Sequence, residues 1–118
     1  MHSEDLKQRT KEFALRIIRL IKAMPQDLAS TTIARQIIRS GTSVAANYRA
    51  TCIAKSRADF INKLRICAEE SDETQLWLEL IIESHILPET QLQPLIQEAN
   101  ELTSIFLSSI KTARGNQQ

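Results

Sequence analysis

Arginine side chains recur along one side of a predicted helix in the first half of the chain. Arg35, Arg39 and Arg49 project within roughly 80° of one another when successive residues turn by 100°. A guanidinium group binds two phosphate oxygens at once, so this stripe favours binding of RNA or DNA through backbone phosphates. The alternative is an ordinary solvated face that pairs with acidic residues of a second copy. The predicted nucleic-acid-binding residues are Arg35, Arg39, Arg49, Lys55, Arg57, Lys63 and Arg65.

The sequence holds none of the residue patterns typical of catalysis or metal binding. A di-iron helical bundle needs Glu-x-x-His pairs, but Ile82 stands three positions before His85, which we expect at the boundary of an inner helix face. Cys52 and Cys67 are too far apart for a metal clip and are expected to be reduced, buried thiols. Phosphate-loop and nucleophile motifs are also missing. We therefore expect no enzymatic activity, metal, cofactor or small-molecule substrate.

Charge is distributed unevenly along a nearly neutral chain. The 118 residues carry a net charge of +1, but nine acids and no base fall within residues 69–101. Such segregation attracts a polyanion to one region or allows complementary contact between copies. No apolar run approaches the roughly 20 residues of a membrane span, and acids precede the first apolar stretch. We expect a cytoplasmic protein without membrane contact.

Apolar residues at helical spacing divide the chain into four segments. Only two glycines and three prolines interrupt it, which favours an all-α fold. Asp27 or Ser30 is expected to cap the second helix, and Ser56 with Asp59 resembles a capping box for the third. Long helices with short connections favour an antiparallel up-down four-helix bundle, one domain over residues 1–118. The predicted helices cover residues 5–24, 28–53, 57–86 and 91–112.

Gly41 lies inside the second predicted helix, where glycine costs roughly 1 kcal/mol relative to alanine. It shares the inner stripe with Ile37 and Val44, so we expect another helix to approach closely there. The alternative is a break at Gly41, which would make residues 33–49 resemble a helix-turn-helix. Asn47 argues against it, because that position should hold an apolar residue.

More apolar residues are present than a monomeric bundle needs. One apolar stripe per helix is sufficient for a bundle core, but several large side chains fall outside the four stripes. Those on the third helix cluster on one face and include the only tryptophan, and aromatic residues are enriched at interfaces. We therefore expect a homo-oligomer with the interface candidates Leu15, Ile18, Leu76, Trp77, Leu80 and Ile105.

Three sequence blocks resemble a known bacterial family. They are residues 39–49 (RSGTSVAANYR), 59–64 (DFINKL) and 70–78 (ESDETQLWL). In this order and spacing they resemble the four-helix-bundle proteins encoded in intervening sequences of large-subunit ribosomal RNA genes. The accessory variability determinant of diversity-generating retroelements is similar to a branch of that family. The resemblance extends over nearly the whole chain.

This resemblance implies a homopentameric ring of four-helix bundles. In the retroelement branch it also implies a basic surface that binds nucleic acid and a partner reverse transcriptase. We accordingly expect a non-catalytic ring that binds RNA or DNA through the second helix; the alternative is a structural or protein-interaction ring. Asn47 either makes a buried hydrogen bond or contacts a ligand. The positions that match the family are Arg39, Asn47, Tyr48, Arg49, Lys63, Glu70, Glu73 and Trp77.

Overall fold

The computed structural model describes residues 2–115, which fold into four α-helices without a strand. The prediction of an all-α fold is confirmed. This part of the chain measures 51 × 21 × 20 Å along its principal axes. None of its helices combines the length and the apolarity that crossing a bilayer demands. The helices are α1 (Ser3–Lys22), α2 (Leu28–Cys52), α3 (Arg57–Glu83) and α4 (Glu89–Gly115).

Side-chain caps fix the beginnings of α2 and α3. The Asp27 carboxylate accepts a hydrogen bond from the Ser30 amide at 2.9 Å, so Asp27 is the cap of α2. This hydrogen bond holds the pKa of Asp27 below its usual range. At α3 the Ser56 hydroxyl accepts from the Asp59 amide at 3.1 Å. In a regular capping box the Asp59 carboxylate would accept from the amide of the cap residue, Ser56. Here it accepts instead from the amide of Lys55, one residue earlier, at 3.0 Å.

The third helix ends at Glu83, three residues before the predicted end at residue 86. The chain leaves the helix through His85, whose φ of 60° lies in the left-handed region. The amides of His85 and Ile86 donate to the carbonyls of Ile82 and Ile81, both at 3.0 Å, which is the Schellman pattern. The expectation that His85 lies at the inner helix face is wrong, because this conformation turns it to solvent.

α2 and α3 begin at the predicted residues, and the other helix limits differ from prediction by one to three residues. α1 covers residues 3–22 rather than 5–24, since Pro25 disfavours helical geometry at Met24 before it. α2 ends one residue early. α4 begins at Glu89 rather than 91 and continues to Gly115 rather than 112. Pro94 is the sixth residue of α4, where its ring removes one backbone hydrogen bond without ending the helix.

Apolar side chains of all four helices form one core. Phe13, Ile17, Ile37, Leu78 and Phe106 are among the side chains that are fully or almost fully buried. α2 packs between α1 and α3, and α3 packs between α2 and α4. α1 meets α4 over a much shorter contact, and within residues 2–115 α1 and α3 do not touch. α1 and α3 therefore lie diagonally across the bundle.

The inner face of α3 is small and polar in its middle. Cys67, Ser71 and Thr74 are completely buried there. The Thr74 hydroxyl lies 2.9 Å from the Ser40 hydroxyl of α2, and the Ser71 hydroxyl lies 2.7 Å from the Thr103 hydroxyl of α4. Small side chains let helices approach closely, and these hydrogen bonds satisfy the buried hydroxyls.

α1 packs closely against α2 at Gly41. A Cβ atom added at Gly41 would lie 2.8 Å from Cγ1 of Ile17, a fully buried side chain. The prediction of close packing is confirmed. The helix-turn-helix alternative is wrong, because α2 continues without a break from Leu28 to Cys52.

We predict that Gly41→Ala destabilises the protein even though alanine is the better helix former. The clash with Ile17 should cost about 1–3 kcal/mol, which outweighs a gain of about 1 kcal/mol in helix propensity. Gly115→Ala is the matched control, since a Cβ there meets nothing within 4 Å. Urea unfolding followed by circular dichroism measures both variants. A Gly41→Ala protein more stable than the wild type would contradict the close approach.

Candidate interaction surfaces

Arg39 is occupied by carboxylates of its own chain. Its Nη1 donates to Glu70 Oε2 at 3.0 Å, and its Nη2 donates to Glu73 Oε2. The bond to Glu73, more than that to Glu70, raises the pKa of Arg39. Arg39 thus joins α2 to α3, and its guanidinium is shared with two carboxylates; its predicted contact with phosphate stays a prediction. The two carboxylates reach Arg39 because α3 is rotated so that Glu70 and Glu73 face α2.

The other predicted phosphate contacts do not form one stripe. Lys63 donates to Asp59 of its own helix at 2.6 Å, and Arg57 Nη1 donates to the Ala113 carbonyl at 3.4 Å. Arg35 lines a shallow depression beside Met24 and Pro25, at the opposite end of α2 from Arg49. Within residues 2–115, the charged nitrogens of five exposed predicted bases have no carboxylate oxygen within 4.0 Å, namely Arg35, Arg49, Lys55, Arg57 and Arg65.

Trp77 is half-buried and packs against the core rather than standing on the outer face of α3. Its Nε1 donates to Glu73 Oε2 at 3.0 Å, the oxygen that also accepts from Arg39. Ile105 is likewise half-buried against the core. The rotation of α3 turns Trp77 toward α2, so the expectation that it lies on one outer face with Leu76 and Leu80 is wrong; its role at an interface stays a prediction.

Leu76 and Leu80 remain on the outer side of α3, with 49% and 39% of their surface exposed. Exposed carboxylates surround them on the same helix, and no base lies among them. An apolar centre with a charged rim is the usual anatomy of a protein interface. We call this surface the α3 patch; it consists of Glu69, Asp72, Leu76, Glu79, Leu80 and Glu83.

A second patch of opposite charge lies on α1. Leu15 is 39% exposed and Ile18 is half-buried. Exposed bases flank them, and one of these, Arg19, reaches the Glu12 carboxylate at 3.4 Å. We call this surface the α1 patch; it consists of Lys11, Leu15, Ile18, Arg19 and Lys22. The predicted interface residues therefore divide between two sides of the bundle, since α1 and α3 lie diagonally across it.

Arg9, which the sequence did not single out, joins α1 to α4. Its Nε and Nη2 each donate to one carboxylate oxygen of Glu98 at 2.7 Å, and Nη2 also reaches Glu101 at 3.1 Å. These bonds, chiefly the one with Glu98, raise the pKa of Arg9. The side chains of Arg9 and Glu98 are only 25% and 16% exposed. No local pattern could reveal a pair separated by 89 residues.

Cysteine, histidine and asparagine contribute no reactive cluster to the described surface. Cys67 is buried, and burial raises the pKa of its thiol to about 12, while Cys52 is only half-buried. The Asn47 side chain donates to the carbonyl and hydroxyl oxygens of Ser43 at 2.9 and 2.8 Å. Of the two roles predicted for Asn47, a hydrogen bond or a ligand contact, the structure shows a hydrogen bond. Within residues 2–115, no three His, Cys, Asp or Glu side chains could hold a metal ion together.

The described residues form an all-helical protein of four helices, whose surface carries the α1 patch and the α3 patch. The model of the 23S rRNA-intervening sequence protein family matches residues 3–108, and the chain belongs to that family. No curated protein matches it. The chain is similar to a protein from the S23 ribosomal protein family of Bacteroides thetaiotaomicron VPI-5482, described as having unknown function, whose crystal structure was solved at 1.70 Å. The two share 39% identity and a TM-score of 0.86, over 94% of this chain and 99% of that one. The relation to retroelement accessory proteins stays a prediction.

We predict that Arg9→Met lowers the free energy of unfolding by about 1–2 kcal/mol. This loss lies between the contributions of exposed and of buried ion pairs to the free energy of unfolding, because most of the Arg9 side chain is covered. Arg19→Met is the matched control: its exposed pair with Glu12 should contribute less than about 0.5 kcal/mol. Urea unfolding measures both. Equal losses for the two variants would mean that Arg9 does not hold α1 against α4.

Proposed function

We propose that the protein is a non-catalytic building block that assembles into a closed ring, the α1 patch of one copy binding the α3 patch of the next. The opposite charge of these patches is the observation that carries the proposal. Each patch contains at least one leucine that is 39% or more exposed and would gain free energy on burial. The bases of one patch would meet the carboxylates of the other, which favours this orientation over others.

Unlike patches favour a head-to-tail contact over a two-fold dimer. In a two-fold pairing of the α3 patch, the four carboxylates of one copy would face the same four of its partner. Contact between unlike patches avoids this repulsion and leaves one free patch at each end of any open chain of copies. Such a chain closes into a ring when the rotation per copy divides a full circle.

The direction of the two patches supports a ring with α2 on its inner side. Leu80 is turned about 40° from Leu76 toward the edge of α3 that packs on α2. Ile18 is turned about 60° from Leu15 toward the edge of α1 that packs on Gly41 of α2. The apolar members of both patches thus incline toward α2, which favours a ring whose successive copies curve around α2. Five copies is the number that the family resemblance implies.

We also propose that consecutive helices run antiparallel. The connections between them are short, with four residues between Cys52 and Arg57 and five between Glu83 and Glu89. Ser3 and Leu6, from the first turn of α1, line the same pocket as Thr51 and Cys52 from the last turn of α2. Both observations support the up-down order.

We predict that two assembly-deficient variants complement each other. Leu15→Glu with Ile18→Glu destroys the α1 patch, and Leu76→Glu with Leu80→Glu destroys the α3 patch, so each variant alone should be a 13.4 kDa monomer. In a one-to-one mixture, the intact α3 patch of the first variant can bind the intact α1 patch of the second. Light scattering should then detect a heterodimer of about 27 kDa, twice the mass of one chain, and nothing larger.

Leu107→Glu is the control for this experiment, because Leu107 is 53% exposed and belongs to neither patch. It should assemble like the wild type. A mixture that stays monomeric, or either double variant assembling alone, would contradict the head-to-tail contact. Circular dichroism confirms that each variant remains helical.

Binding of RNA or DNA is a second candidate function. It is supported by the exposed bases without carboxylate partners within residues 2–115, among them Arg35 and Arg49 of α2. In the proposed ring these arginines lie on the inner side and are repeated by every copy. Such a surface would bind phosphates through counterion release with little sequence preference. A reverse transcriptase partner stays a prediction of the family resemblance.

We predict that Arg35→Glu with Arg49→Glu weakens binding of a labelled single-stranded RNA or DNA by at least about tenfold at low salt. The slope of log affinity against log salt should become shallower by roughly 0.7 for each phosphate that the variant no longer binds. Lys111→Glu with Arg114→Glu makes the same charge change on α4 and should leave binding within about twofold. Fluorescence anisotropy at two salt concentrations measures all three proteins. Equal weakening by both double variants would exclude a site on α2.

A further inference from the structure

A pocket of about 810 Å³ opens at the end of the bundle where α1 and α3 begin and α2 and α4 end. Its volume falls within the roughly 300–1,000 Å³ of small-molecule sites. None of its lining residues belongs to the α1 patch or the α3 patch. Assembly through those patches therefore leaves its walls unchanged.

The pocket carries two basic side chains, Lys55 and Arg57. Within residues 2–115 their charged nitrogens have no carboxylate oxygen within 4.0 Å, although the Asp59 carboxylate lies close enough to accept from the Lys55 amide. The described lining contains no Asp or Glu. The two nearby acids are held by other bases, Glu4 by Lys7 at 3.2 Å and Asp59 by Lys63 at 2.6 Å.

Two hydroxyl groups of the pocket, those of Tyr48 and Thr112, make no hydrogen bond to nitrogen or oxygen within residues 2–115. Tyr48 is only 6% exposed, and its hydroxyl shares a hydrogen bond with the Cys52 thiol. Burial and the neighbouring Cys52 thiol raise the pKa of Tyr48, so the hydroxyl stays a neutral donor. Thr112 also makes no hydrogen bond in this part of the chain, although six other threonines donate to the carbonyl four residues before them.

The helix termini at this end contribute little net charge. α1 begins there at Ser3 without a side-chain cap and α3 begins at Arg57, but α2 and α4 end there, and their partial negative charges offset the partial positive charges of the two beginnings. The positive charge of the pocket therefore comes from Lys55 and Arg57. The opposite wall is apolar and includes Leu6, Phe60 and Leu64. The pocket therefore suits an anion attached to an apolar or aromatic body.

We propose that this pocket binds a small organic phosphate. Lys55 and Arg57 hold the phosphate, for which the guanidinium fork of Arg57 has the matching geometry. Tyr48 and Thr112 donate hydrogen bonds to further oxygens of the ligand, and Phe60 packs against its apolar part. The volume admits a mononucleotide or an aryl phosphate but no nucleic-acid duplex.

The test is a titration of the full chain with adenosine 5′-monophosphate, phenyl phosphate and adenosine, followed by amide NMR. At least one of the two phosphates should produce saturable shifts clustered at residues 54–57 and 108–113. The phosphate-free adenosine should bind at least about tenfold more weakly than its monophosphate, because it lacks the charged contacts. Lys55→Gln with Arg57→Gln should weaken phosphate binding at least about tenfold.

Lys111→Gln with Arg114→Gln is the matched control, since it removes two exposed charges from the neighbouring end of α4 outside the pocket lining. It should change the affinity by less than about twofold. Thr112→Val keeps the side-chain shape and should weaken binding about two- to tenfold. Absence of saturable binding by both phosphates overturns the proposal. So does equal affinity for adenosine and its monophosphate, or equal weakening by the two double variants.

Discussion

The rotation of α3 about its own axis is the constraint on which the rest of the structure depends. α3 packs against both α2 and α4, and the middle of its inner face consists of small polar residues. Ser71 and Thr74 join α3 to both neighbouring helices through hydroxyl–hydroxyl contacts at 2.7 and 2.9 Å, in addition to their hydrogen bonds to carbonyls of α3 itself. Turning α3 by one residue, about 100°, would break both contacts at once.

Once this rotation is fixed, the acids of α3 divide into two groups with different roles. Glu70 and Glu73 face α2, where they bind Arg39, and Glu73 also orients Trp77. The other acids stay on the outer side around Leu76 and Leu80. One group therefore stabilises the bundle, and the other forms the charged rim of the α3 patch. The complementary bases lie across the bundle on α1, which is why the proposed assembly is head-to-tail.

Local features of the sequence were sufficient to predict the fold. Caps and prolines located four helices within a few residues, and the inner-stripe position of Gly41 indicated its close packing. The end of α3 was missed because His85 takes the left-handed position that glycine usually occupies. The partners of Arg39 were missed because they lie 31 and 34 residues away and depend on helix rotation. The pocket was missed because three separate stretches of the chain, belonging to four helices, form its walls, so no single stretch carries a signal.

The central claim is that the α1 and α3 patches join copies of this chain into a closed ring. The mass of the wild-type protein in solution, measured by light scattering over a range of micromolar concentrations, tests it most directly. The account predicts one discrete species, at about 67 kDa for the five copies that the family resemblance implies. A single species of 13.4 kDa at every concentration, or a two-fold dimer, would contradict it.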